Sequence, residues 1–143
     1  MSESRVPTGG RHMAWTDHVF RSTGLVKIYG GEVPPLRGVH LHAVDLHRGG
    51  PTLSLRFNLA RYPADPPHKW AAQGYNRVQV TLAVSGIDSC SIEGFGLDPV
   101  VDIDLEPGDG GLVVSVDSDD VRVRAVGQSA SLARMSAYLQ GDG

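Results

Sequence analysis

With 143 residues, one cysteine and a formal net charge of −3, the chain is long enough to bury one core and too short for two, and Cys90 has no second thiol for a disulfide, a zinc site or a redox CxxC. No stretch reaches the ~18–20 apolar residues of a membrane span and no apolar run opens the chain, so a reducing cytoplasm is the expected setting, with no membrane partner. Charge is uneven: residues 1–77 hold ten Lys or Arg against five acids, and residues 78–143 hold three against eleven, balances of +5 and −8. The cations are scattered over many segments, whereas nucleic-acid binding collects them on one element, so no direct nucleic-acid contact is expected.

Residues 1–13, MSESRVPTGGRHM, read as a disordered leader or an expression remnant with Met13 as the natural start, and residues 14–140 as a single β domain. From Trp15 to Gly31 the pattern is short and helical. Ser22 or Thr23 is placed to accept the first free backbone N–H groups, Leu25, Ile28 and Tyr29 recur at i, i+3 and i+4, and Gly30-Gly31 suits the left-handed stop. Pro34 and Pro35 forbid continuation. Trp15, Phe20, Leu25 and Tyr29 are expected to pack onto the strands beyond the prolines.

From Val39 the period becomes two. In VHLHAVDL, Val39 and Leu41 share one face but Val44 and Leu46 the other, a slip that predicts a bulge near Ala43. HRGGP supplies a hairpin turn, and Leu53, Leu55, Phe57 and Leu59 then alternate with Thr52, Ser54, Arg56 and Asn58. After a loop from Ala60 to Gln73, strands are expected near 76–84, 87–94, 100–106, 112–117 and 121–126, joined by turns at Gly86, PGDGG and SDD. The final SASLARMSAYL fits a helix through Leu132, Met135 and Tyr138, or an edge strand through Ala133, Met135, Ala137 and Leu139, with a slight lean to the strand. The connections are too short for crossover helices. The expected fold is therefore mostly all-β: an antiparallel β-sandwich or curled barrel-like sheet of about seven to eight strands with a short N-terminal helix.

Reactive chemistry finds little support. His40 and His42 project from one strand with Asp45 or His47 nearby, but HxH alone is a weak zinc signal, and a solvent-facing pair is the simpler account. Cys90 in SCSIEG has no basic neighbour to activate it. No nucleophile elbow, P-loop or dinucleotide fingerprint is present, and the inward positions Val78, Val80, Leu82, Val101, Ile103, Leu105, Leu112, Val114, Val116, Val121 and Val123 are all aliphatic. No catalytic residue, metal or cofactor is expected. A small-molecule-binding or catalytic β-barrel would need polar inward positions, and a protein-interaction adaptor cannot be told from other binding modules by sequence.

The passage PADPPHKWAAQGYNRVQVTLAV carries the most specific pattern. Its prolines and Trp70 suit either a polyproline ligand or, preferably, a loop that folds Trp70 back as a plug over the sheet. Together with Trp15, LVKIYGGEVPPLRGV and LHRGGPTLSLRFNL, it resembles the bacterial immunity protein 50 family of polymorphic toxin systems, from about Trp15 to Tyr138. That resemblance implies a non-enzymatic protein that binds and neutralises a cognate toxin domain in the bacterial cytoplasm, with Trp15, Pro67, Trp70 and Gly74 as structural positions. The acidic half supplies the candidate contact: Asp98, Asp102, Asp104, Asp117, Asp119 and Asp120. Asp102, Asp104 and Glu106 share an outward face, where cross-strand pairing with Arg122 and Arg124 would neutralise part of the charge and the remainder would select a basic partner.

Overall fold

The computed structural model describes residues 14–94, 96, 99–108 and 110–140; the leader of residues 1–13 and the candidate contact Asp98 lie outside the described residues. A 3-10 turn at Trp15–His18 leads into β1 (Val19–Phe20) and α1 (Thr23–Ile28). Next along the chain come β2 (Val39–His47), β3 (Thr52–Asn58), α2 (His68–Gln73), β4 (Arg77–Ser85), β5 (Ser89–Gly94), β6 (Val100–Gly108), β7 (Gly111–Asp117), β8 (Val121–Gly127) and β9 (Ser129–Tyr138). Among the described residues these nine strands form one mixed sheet in the order β1-β9-β4-β3-β2-β6-β7-β8-β5, not closed into a barrel.

The sheet works as two halves joined through β2. That strand pairs with β3 along its length but with β6 only at Val39–Val101 and His40–Val100. Beyond that point β2 and β6 diverge, and their halves curl so that the inward faces share one core. Leu53, Leu55, Phe57, Val78, Val80, Leu82 and Val84 come from one half, and Val101, Ile103, Leu105, Val114, Val116, Val121, Val123 and Ala125 from the other. The alternation of period two is obeyed on β4 and β7, whose inward residues are buried while the outward ones are partly or fully exposed. The expected bulge is present: the β2–β3 register shifts between Leu41 and Ala43, leaving His42 as the extra residue.

Four features differ from the sequence expectations. Ser22 sits at the start of α1 but does not cap it with its side chain; its hydroxyl instead donates to the Thr16 and Val19 carbonyls. Phe20 is 68% exposed, because β1 is the last strand of the sheet and its alternate residue turns outward. The loop of residues 60–73 contains α2, started at Pro67 and stopped by Gly74 in the left-handed conformation, φ 68°. The C-terminal segment is a strand, but it is inserted between β4 and β1 rather than left as an edge, and its pairing with β1 is parallel. Ala133 is the extra residue of a second bulge, where the β4–β9 register moves from Thr81–Arg134 to Leu82–Leu132.

The N-terminal segment is held by two side-chain hydrogen bonds to backbone carbonyls, one within it and one to the loop after β3. Trp15 Nε1 donates to the Pro34 carbonyl at 3.0 Å, so the two prolines that end the helical region also orient the indole. Tyr29 Oη donates to the Arg61 carbonyl at 2.6 Å, and burial holds that phenol well above its ordinary pKa, keeping it a neutral donor.

Candidate protein-binding surface

The acidic residues are placed by the β6-β7-β8-β5 half. Register puts Asp102, Asp117, Arg122 and Glu93 in one outward row across the four strands, and Asp104, Ser115, Arg124 and Ser91 in a second. Asp102 and Asp117 are thus direct cross-strand neighbours of like charge. Arg122 is the next residue in the row and lies 3.6 Å from Asp117, Nε to Oδ1, an exposed pair worth ~0–1 kcal/mol.

Asp102 and Asp104 have a further task that the sequence did not disclose. Residues 36–38 run along β6, with the Ile103 N–H donating to the Leu36 carbonyl and the Gly38 N–H donating to Asp102 Oδ1 at 2.9 Å. Arg37 Nη2 donates to Asp104 Oδ1 at 2.6 Å and Nη1 to the Ile103 carbonyl. The hydrogen bond to Asp104 raises the Arg37 guanidinium above its ordinary pKa. Arg37 lies just after the two prolines, a position with no local signal for a partner more than sixty residues away.

Asp119 and Asp120 occupy the β7–β8 turn. Ser118 Oγ accepts the Asp120 and Val121 N–H groups, which holds the turn with its own side chain and leaves both carboxylates at an exposed tip. This tip lies beside the end of β5: Glu93, Ser118, Asp119, Asp120 and Arg122 border a shallow concavity of about 260 Å³. Glu93 therefore joins Asp117, Asp119 and Asp120 as a fourth acid at this end of the sheet. The alternation of SCSIEG was the available signal for its outward position. Asp104 stands apart, committed to Arg37.

The opposite outer face carries a polar groove of about 590 Å³ whose lining includes Asp45, His47, Ser54, Arg56, Thr81 and Arg134. Its composition has the members of a nucleophile, base and acid set, but their placement on the strands does not. Asp45 faces Ser54 across the β2–β3 ladder, and His47 faces Thr52. A relay needs the imidazole between the other two groups, so this geometry does not assemble one. His40 and His42 are exposed, His40 just before the bulge and His42 within it, and among the described residues no group of three His, Cys, Asp or Glu side chains is placed to hold a metal ion. Cys90 is half-buried on the inward side of β5, where desolvation raises its thiol pKa, the reverse of an activated thiolate.

The expected structural positions lie at two places, Trp15 at the N-terminal turn and Pro67, Trp70 and Gly74 at α2. Trp15 is buried, and Trp70 is half-buried against the core with its ring 6.3 Å from that of Tyr62 at an interplanar angle of 39°. Pro67 accepts the Trp70 and Ala71 N–H groups at the start of α2, and Gly74 donates to the Ala71 carbonyl at its end. Trp70→Ala is expected to lower stability by about 2 kcal/mol, less than a fully buried aromatic because the ring keeps solvent contact. Urea denaturation checks this, and an unchanged midpoint would return Trp70 to the role of an exposed ligand for an aromatic groove.

The immunity protein 50 family model matches residues 22–138. No curated protein and no solved structure gives a significant match. That match covers both helices and all but the first strand, so the chain belongs to the immunity protein 50 family and has the role of an immunity protein.

Proposed function

We propose that this chain protects a bacterial cell by forming a stoichiometric complex with one cognate toxin domain of a polymorphic toxin system, in the cytoplasm and without catalysing a reaction. The family match over residues 22–138 carries the reading. The architecture suits it: a nine-stranded sheet among the described residues, an aliphatic core on the inward strand positions, and charge gathered on an outer face. No direct nucleic-acid or membrane contact is part of the proposal. The contact includes part of the set Asp98, Asp102, Asp104, Asp117, Asp119 and Asp120, which attracts a basic toxin surface and screens out partners of the wrong charge.

Co-expression with a candidate toxin domain, sought in the neighbouring reading frames, tests the reading. Cells carrying both are expected to grow, and equal killing with and without this protein would refute it. Asp119→Lys with Asp120→Lys is the cleaner surface variant, because these carboxylates face solvent at the turn, whereas Asp102 and Asp104 also hold residues 37 and 38. The reversed turn is expected to slow association on the order of tenfold, less so at high salt, with the melting midpoint unchanged. Stopped-flow association rates that match wild type would move the contact off this turn.

A further inference from the structure

The sheet ends in two edges of opposite character. At one, β1 is two residues long, and β9 continues past it with the Ala133 bulge and Arg134. Short, bulged and charged edges resist pairing with foreign strands. At the other, β5 pairs with β8 in unbroken register from Ser89–Val126 to Gly94–Val121 and contains no Pro, Lys or bulge. Among the described residues no strand pairs with its outer side.

The side chains of β5 give this edge a chemical preference. Ile92 lies opposite Val123 on the core face yet is 48% exposed, and with Leu41, Val44, Pro99 and Val121 it borders a cleft of about 240 Å³. This cleft opens where β2 has parted from β6, and it leaves Ile92 exposed and Val44 partly exposed over the buried Leu41 and Val121. On the outward face Glu93 ends the row that begins with Asp102 and Asp117, and the Asp119–Asp120 tip stands at the same end. Backbone pairing, apolar burial and negative charge thus meet along six residues.

We propose that the toxin docks by laying an extended segment of its own along β5 as an added strand, basic at the residue facing Glu93 and apolar at the adjacent residue that enters the cleft beside Ile92. This rests on the immunity reading above and specifies its contact. Main-chain hydrogen bonds to the free edge supply affinity, and the period of two supplies selection, because neighbouring residues of the added strand must alternate between the acidic row and the cleft.

Amide hydrogen exchange on the free protein and on its complex with the neighbouring toxin domain tests the proposal. Amides within residues 89–94 are expected to exchange at least about tenfold more slowly in the complex. Ile92→Lys with Glu93→Lys is expected to weaken the complex roughly 100-fold while leaving the melting midpoint near wild type, since both side chains are exposed. A complex in which residues 89–94 exchange as before, or one that tolerates the double substitution, overturns the edge assignment and leaves the immunity reading intact. Protection in the free protein together with a dimeric mass also overturns it, by placing a second copy on β5. No complex with the wild-type chain removes the immunity reading itself, and this proposal with it.

Discussion

Phe57→Ala is expected to lower stability by about 3–5 kcal/mol, as deletion of a buried ring does. Phe57 is fully buried in β3, opposite Leu41 on one side and Val80 on the other. Leu41 is the last residue of β2 before the bulge, so the ring packs at the place where the two halves of the sheet begin to separate. Its removal leaves a void that the paired strands can close only by giving up their register. For a chain of this size the loss corresponds to a fall of roughly 10–15 °C in melting midpoint. In urea the midpoint should move with little change in slope, whereas Phe57→Leu should cost only about 1 kcal/mol. Equal stability of the Ala and Leu variants would mean that the site collapses without a cavity.

Gly111→Ala is the second large effect, about 2–4 kcal/mol, and it arises from backbone rather than from packing. A methyl group on Gly111, the first residue of β7, runs into the Gly127 carbonyl oxygen. Gly127 has no room to retreat, since its own Cα stands against β4: a Cβ there would lie 2.9 Å from Val84 Cγ1 and 3.1 Å from the Ser85 carbonyl oxygen. The chain leaves one half of the sheet at Gly127 and joins the other at Ser129, with the Gln128 N–H donating to the Ser85 carbonyl between them. Two side-chain-free residues let three strands approach at this crossing. Gly49→Ala is the control, with open space around the added methyl and an expected change within about 0.5 kcal/mol. Thermal melts of the two variants compare them directly, and a Gly111→Ala protein as stable as Gly49→Ala would show that the crossing relaxes freely.

The sequence by itself determined the local features, because each is written within a few residues. The alternation of Val78, Val80, Leu82 and Val84 assigns the buried face of β4, HRGGP and SDD mark turns, and the slip in VHLHAVDL places the bulge. The resemblance carried by the Trp70 loop and the flanking hairpin named the family that the match over residues 22–138 establishes. Strand order was decided only in three dimensions: a period of two says which way a side chain faces, and nothing about which strand lies alongside. Thus β9 enters between β4 and β1, and Phe20, apolar and expected inside, is left on an edge. The acidic set shows the same division. Alternation put Asp102 and Asp104 outward, but Arg37 and Gly38 reach them across more than sixty residues of chain, and Glu93 enters the Asp102 row only because β5 pairs with β8. Pairing between distant segments is fixed by the shared core and by the shape of the curled sheet, and no local pattern encodes either.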